Sequence, residues 1–551
     1  MVKIIRFISR YAKKYMGSIA LFVLLSVITW SATIAIPYVT GNYIDTLVNV
    51  KTIKYVYSFA LLVLAINILN MVVSYFLNLI HSKLNSQISY AICDDLFNHL
   101  RHIGVREFEE KDSVYLSNRI TGDSSNITFF CMHNLVSVLT NSGTLVASFI
   151  ILLHINVPIA LGLLTLLPIY AALYLVFRKS LFNSNMQYRE KQDVYMSTVS
   201  KQFQNIYYVK INVLFHEVSK RLKEMFEILF KYLYKYYKLN YIYSNLGNTI
   251  LIIANVILIL FGGLAVVNNT LSIGMFTILN VYFSMIISAL AFFLGLAANL
   301  QEAKTSYSRL QELYNIPQEH NGKTVLSDIN EIQINNLSFA YNKNRKFYNS
   351  SNIRFKKGNI YFLVGENGSG KSTFINLIVG LYMKEFEGKI LFDNVDITDI
   401  DLYSARRKII SISTQEPILL CDTIYENITL GIEDIDMQEI ENWLETFNIH
   451  DTIKKMPNGI HTKLSEKSAN ISGGEKQKFT HIRSFLKESC LMIFDEPTSA
   501  LDKKSTEAFK SVLLKQKKDK IVIIITHDQS INDIADYTVS FDNDVVNCFK
   551  T

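Results

Sequence analysis

The sequence predicts a multi-domain membrane protein: an all-α six-helix transmembrane domain with long cytosolic helix extensions, followed by an α/β P-loop ATPase domain. Three observations predict it. Apolar runs of bilayer-spanning length recur through residues 17–299. From Glu331 onward, strand-like apolar runs alternate with helical patterns. Between a strand-like run and a helical one lies GENGSGKST, Gly365 to Thr373, which fits the phosphate-loop spacing G-x-x-x-x-G-K-[ST].

Composition sets the frame. In 551 residues the hydrophobic fraction is 50%, and the mean hydropathy is positive at +0.19. Charged residues crowd the second half and the loops, as a membrane protein requires. The formal net charge of +7 lies largely beside apolar segments, so it reads as orientation charge and no nucleic-acid partner is expected. Five scattered cysteines, Cys93, Cys131, Cys421, Cys490 and Cys548, form no C-x-x-C pair and suggest structural thiols in a reducing compartment. The basic start, with Lys3, Arg6, Arg10, Lys13 and Lys14, reads as an amphipathic lead-in to a retained helix.

Six spans are expected at about 17–40, 55–80, 134–155, 157–178, 245–267 and 273–299, within a transmembrane domain of residues 1–317. The lead-in and the segments 81–133 and 179–244 hold nearly all the basic residues, while the loops around Asn49, Asn156 and Asn269 are short and almost uncharged. Both termini should therefore face the cytosol, from a multi-pass position in the cytoplasmic (inner) membrane. The inner loops are helical and amphipathic at Gln87–Leu100, Val194–Phe203 and Val218–Tyr236, so the spans should continue beyond the lipid and turn back through cross-pieces at Phe108–Arg119 and Asn205–Phe215. Separate soluble subdomains are the alternative, but neither loop has a self-sufficient core. Asn67, Asn70, Asn141, Asn248, Asn255 and Asn280 lie within the spans and His154 near an outer edge; helix packing and cavity lining are both open to them. No carboxylate or basic group lies at mid-depth, which argues against a proton relay. The sixth helix should run on through Gln301, Lys304 and Leu310 to Pro317, with 318–330 as a linker and 331–551 as the nucleotide-binding domain.

In the phosphate loop, Gly365, Gly368 and Gly370 let successive N–H groups and the following helix N-terminus face phosphate oxygens. Glu366, Asn367, Ser369 and Thr373 complete the cradle. Lys371 would neutralise the β- and γ-phosphates of ATP, and Ser372 would hold Mg2+. Downstream, CLMIFDEP (Cys490 to Pro497) reads as a buried parallel strand ending in two carboxylates. Asp495 would bind the metal, and Glu496 would polarise the attacking water.

Between these lies ISGGEKQ, Ile471 to Gln477, which resembles the signature motif of the ATP-binding cassette (ABC) family. With six preceding spans, essentially the whole chain resembles an exporter-type half transporter like the bacterial peptide and multidrug exporters. The resemblance implies that Ser472, Gly473 and Gly474 bind the γ-phosphate of ATP held by a second copy. Glu475 departs from the commoner Gln and Ile471 from the commoner Leu. By the same resemblance, Tyr341 stacks on adenine, Gln415 senses magnesium and faces the cross-pieces, the loop Ser499 to Asp502 links two ATP sites, and His527 contacts the γ-phosphate. Because no family site residue is degenerate, a homodimer is expected ahead of a heterodimer with a related half transporter. The expected activity is ATP-driven export of an amphipathic substrate, a modified or antimicrobial peptide first, processed by another protein. A multidrug or lipid exporter is the alternative, ahead of an importer of this fold or an ATP-gated channel or sensor. A soluble ATPase acting on DNA or ribosomes is excluded by residues 17–299.

Overall fold

The computed structural model describes residues 2–50, 53–109, 111, 113–155, 157–158, 166–268, 270–342, 345–383, 386–420, 422–430, 432, 434–464, 471–542 and 545–551. It divides into two compact units, Met1–Ile103 with Glu107–Pro317, and Gly104–Arg106 with Gln318–Thr551.

The first unit is helical. An amphipathic helix α1 (Val2–Ala12) leads through one 3-10 turn into α2 (Met16–Val50). Then follow α3 (Ile53–Arg101), α4 (Val105–Glu109, of which Val105 and Arg106 count with the second unit), α5 (Ser113–Ile155), α6 (Leu166–Gln204), α7 (Ile206–Ile211), α8 (Phe215–Val267) and α9 (Ile273–Tyr314). Among the described residues five helical stretches are long and apolar enough to cross a bilayer. The expected fourth crossing, 157–178, runs through residues 159–165, which lie outside the described residues. Large apolar side chains face outward along these helices, Leu61, Met71 and Val267 among them. Lipid, unlike water, solvates such a surface without penalty.

Of the two expected cross-pieces only the first departs from the observed helices. The second is a helix at Ile206–Ile211, inside the expected Asn205–Phe215. In place of the first, Phe108–Arg119, a short helix covers Val105–Glu109 and Ser113 already opens α5. The reason is tertiary: Arg119 is buried in α5, donating to the Arg309 carbonyl (2.8 Å) and the Tyr115 hydroxyl (2.7 Å) and pairing with Glu312. Two of the span asparagines act locally: Asn67 and Asn141 donate to the carbonyls of Val63 and Ser137 four residues back.

Past the apolar windows, packing follows helical periodicity. Leu84, Ile88, Ile92, Leu96 and Leu100 form a buried stripe on α3 that meets Ile4, Phe7 and Ile8 of α1 and Ile120 and Ile127 of α5. Arg309 of α9 is buried, donating from Nε to Asp123 of α5 (2.8 Å) and pairing with Asp193 of α6. At the other end, α2 and α9 nearly touch: a Cβ on Gly274 would lie 2.3 Å from the Gly41 carbonyl, and Asp45 accepts from Ser272 Oγ (2.7 Å) and Gly274 N (2.8 Å).

The second unit holds two sheets. A four-stranded antiparallel sheet is formed by β1 (Glu331–Asn342), β2 (Arg345–Lys356), β4 (Phe386–Phe392) and β5 (Val395–Asp396), in the order β2-β1-β4-β5. A six-stranded sheet has the order β10-β9-β3-β8-β7-β6, built from β3 (Ile360–Gly365), β6 (Ile410–Ser413), β7 (Leu491–Asp495), β8 (Ile521–Ile525), β9 (Tyr537–Asp542) and β10 (Val545–Lys550). Its central strands β3, β8 and β7 are unbroken apolar runs up to their carboxyl ends because both faces are covered. Tyr361, Leu363, Ile493 and Ile523 enter one core with Phe374 and Phe355, while Phe362, Met492, Phe494 and Ile524 enter the other with Phe479 and Phe509. Residues 318–330, expected as a linker, are stitched to this unit: Gly322 N donates to Ile400 O and Thr324 bridges Ile400. Cys93, Cys131, Cys490 and Cys548 are free thiols; Cys421 lies outside the described residues.

Removing the Arg309 charge should leave Asp123 and Asp193 buried without a counter-charge. Arg309→Met is expected to destabilise the first unit by about 3–5 kcal/mol, seen as a lower thermal midpoint of the purified protein in detergent; an unchanged midpoint would show that the cluster contributes nothing.

Candidate functional site

The parallel register decides which residues meet. Leu363 pairs with Ile525, Ile525 with Asp495, and Ser413 with Phe494, so β3, β8, β7 and β6 end level with one another. Each strand releases its next residues at the same carboxyl edge, where ligands of open α/β sheets bind. The phosphate loop follows β3, His527 follows β8, Asp495 ends β7 with Glu496 next, and Gln415 follows β6.

The loop closes onto helix α10 (Lys371–Ile378). Gly370 caps it with φ of 97°, a left-handed conformation that glycine adopts without a Cβ clash, so Lys371 is already helical. The Lys371 side chain is buried, and its Nζ donates to the carbonyls of Gly365 (2.7 Å) and Glu366 (2.9 Å). Burial pushes its pKa down, against the upward pull of the Glu496 and Asp495 carboxylates. Ser372 Oγ donates to Asp495 Oδ2 at 3.2 Å, and burial pushes the Asp495 carboxyl up despite that bond and Lys371. A hydroxyl and a carboxylate are thus held together beside an ammonium, an all-oxygen donor set that suits a hard divalent cation carrying phosphate.

Glu496 has φ of 50°, rare for a residue with a side chain. Its N–H donates to Ile525 O (2.8 Å), and its carbonyl accepts from Gln477 Nε2 (2.8 Å) and Ser499 Oγ (3.0 Å). After α11 (Leu402–Lys408), α12 (Ile424–Thr429), α13 (Met437–Thr446) and α14 (His450–Lys454), Gln477 is buried on helix α15 (Gly473–Leu486), and its Oε1 accepts from Ala500 N (3.0 Å). Ser472 caps α15 in a reciprocal box with Glu475, and Ser472 and Gly473 are exposed. Asp502, expected to act between two ATP sites, is engaged within its own chain. It accepts from Lys478 Nζ (2.9 Å) and caps helix α16 (Lys503–Gln516) through Ser505 N, and Lys478 draws its pKa down to about 2. Gln415 and His527 are exposed at the strand edge. Tyr341 lies on β1, but its side chain is outside the described residues.

Two contributors escape motif reading. Gln477 stands in the quoted signature stretch, yet only the fold reveals that it holds the Glu496 loop. His481, one turn further on α15, is fully buried: Nε2 sits 2.8 Å from Pro497 O and Nδ1 3.3 Å from Ser413 Oγ, with Phe509 and Phe494 against the ring. Its position four residues after Gln477 on one helix face is the only signal the sequence offered.

Residues 19–290 match the family model described as ABC transporter transmembrane region, and residues 348–499 match the model described as ABC transporter. The chain is 28% identical to a putative export ATP-binding/permease protein of Rickettsia bellii, over 90% of this chain and 85% of that one. It is 24% identical to a putative multidrug export ATP-binding/permease protein of Bacillus subtilis, over 98% and 94% of the two chains. It is 26% identical to the pediocin PA-1 transport/processing ATP-binding protein of Pediococcus acidilactici, over 81% of this chain and 62% of that one. A solved structure of a bacterial Atm1-family ABC exporter with ATP bound shares the fold, with a TM-score of 0.89 at 18% identity, over 96% and 95% of the chains.

Burial pushes the His481 pKa down to about 4 from an ordinary 6.5, so the folded protein holds this ring neutral. The unfolded chain then binds the extra proton between those values, and stability is lost as pH falls from about 6.5 towards about 4. The loss from this group is on the order of 3 kcal/mol. Thermal midpoints measured across that window should fall less steeply for His481→Gln than for the native protein.

Proposed function

The chain belongs to the ABC transporter family, as an exporter-type half transporter whose ATP-binding domain couples ATP hydrolysis to transport across a membrane, and from this we propose that two identical copies export an amphipathic peptide from the cytosol. One observation carries the nucleotide half of the reading: Lys371, Ser372, Asp495 and Glu496 converge at the carboxyl edge of one parallel sheet. In the proposed cycle Lys371 leaves the carbonyls of Gly365 and Glu366 for the β- and γ-phosphates of ATP. Tyr341 stacks on the adenine, and the loop amides from Gly365 to Thr373 cradle the phosphates. Ser372, Asp495 and Gln415 would hold Mg2+, whose chemistry is to neutralise charge on the transferred phosphoryl group. Glu496 orients and polarises the attacking water, and His527 contacts the γ-phosphate. Ser472, Gly473 and Gly474 serve the ATP bound by the other copy, with the loop Ser499 to Asp502 between the two sites. ATP bound only between closed copies shifts the population towards the closed state, and hydrolysis releases it.

The membrane half rests on the lipid-length helices and on the family match over residues 19–290. Six crossings, with both termini and the ATPase domain on the cytosolic side of the cytoplasmic membrane, agree with the placement of basic residues. The pediocin-transporting relative supports a peptide cargo, as do spans rich in Asn, Tyr and Phe. The Bacillus subtilis relative supports a second reading, export of small amphipathic compounds.

Glu496→Gln keeps the shape of the site and removes its base, so ATP turnover should fall about hundredfold or more while ATP binding persists; native turnover would reject the role of Glu496. Lys371→Ala should abolish both turnover and transport. In proteoliposomes, amphipathic peptides should stimulate ATP turnover and accumulate on the far side. Stimulation by small amphipathic dyes alone would favour the second reading.

A further inference from the structure

The signature helix carries a carboxylate where it meets its proposed ligand. Ser472 donates its N–H to Glu475 Oε2 at 2.7 Å and its hydroxyl to the same oxygen at 2.8 Å, while its Oγ accepts from Glu475 N at 3.3 Å. A serine hydroxyl has one proton to give. That proton and the adjoining amide are therefore both committed to one anionic oxygen at a helix N-terminus, the place that favours anions. Ser472 and Gly473 are nevertheless exposed, and nothing lies within 4 Å of where a Gly473 side chain would begin.

We propose that Glu475 is an internal mimic of the γ-phosphate, a charge gate that occupies the Ser472 donors in the separated chain and must be displaced before ATP on a second copy can bind there. The proposal rests on the reading that two copies share their ATP. Its logic is competition: the triphosphate brings its charge to donors already satisfied by a carboxylate, and the two anions repel at close range. Closure then requires the Glu475 side chain to leave the cap, which raises the ATP concentration needed. Glutamine at this position would still accept from Ser472 N through its amide oxygen, keeping the cap while removing the charge. Glu475 is thus a positioning residue that sets the ATP threshold without touching the hydrolysed bond.

The test is ATP turnover of the full-length protein in lipid nanodiscs, titrated with MgATP, for the native chain and for Glu475→Gln, Glu475→Ala and Ser472→Ala. The half-maximal ATP concentration of Glu475→Gln should fall about tenfold, a change worth roughly 1.4 kcal/mol, with maximal turnover equal or lower. Glu475→Ala should move it in the same direction by less, because the cap is lost as well. A half-maximal concentration equal to or above the native value in both Glu475 variants overturns the gate and leaves Glu475 as a helix cap only. Ser472→Ala separates this from the parent reading: native turnover in that variant would mean the signature serine does not serve ATP at all. Loss of turnover there, with unshifted Glu475 variants, would reject the gate alone.

Discussion

The backbone of Glu496 is the constraint on which the rest of the nucleotide site depends. A side-chain-bearing residue at φ of 50° carries a cost of about 1–3 kcal/mol, and it persists only if its surroundings over-determine it. Here they do. The Glu496 N–H is taken by Ile525, and its carbonyl by Gln477 and Ser499. At roughly 0.5–1.5 kcal/mol each, these bonds match or exceed the strain. Since Gln477 and His481 reach the loop from α15, the helix that Ser472 caps also fixes the main chain of Glu496 and Pro497 just past β7.

The membrane unit uses a different economy of contacts. Where lipid surrounds a helix there is little gain in hiding apolar side chains, so many point outward, while the helices meet through large side chains such as Leu251, Tyr282 and Phe283 and through close approaches at Gly41 and Gly274. Beyond the apolar windows the same helices acquire water-type packing, with five residues at every fourth position on α3 and a buried guanidinium on α9. Burying Arg309 with two carboxylates is costly for any one partner removed, which makes α5, α6 and α9 a mutually dependent set.

Much of this was legible in the sequence because it is local. The run Ile360–Val364 before a glycine-rich turn and the run ahead of Asp495 announce parallel strands, since burial on both faces erases alternation. The cores that receive Phe362 and Leu363 on opposite faces are not local, nor is the β8 position between β3 and β7 that brings the chemistry to one edge. Phe108–Arg119 misled for a related reason. Nothing local to it says that Arg119 finds partners nearly two hundred residues away on α9. Gln477 and His481 were invisible as contributors, because a helix sequence does not say which backbone it will hold. Glu475 was legible as a departure, and its bonds to Ser472 give the departure a physical meaning.

The near-contact of α2 and α9 has a historical side. With Gly274 against the Gly41 carbonyl, and a Cβ on Gly41 only 2.1 Å from Ile278, neither position accepts a methyl group unless main chain moves. A lineage that replaced one glycine would have to redraw two helices at once, a route closed to single-step drift. Variation will instead collect on the outward flanks of the same helices, where a bulkier or smaller residue displaces only acyl chains. The age of this protein should thus be written on its rim and its ancestry at this narrow crossing.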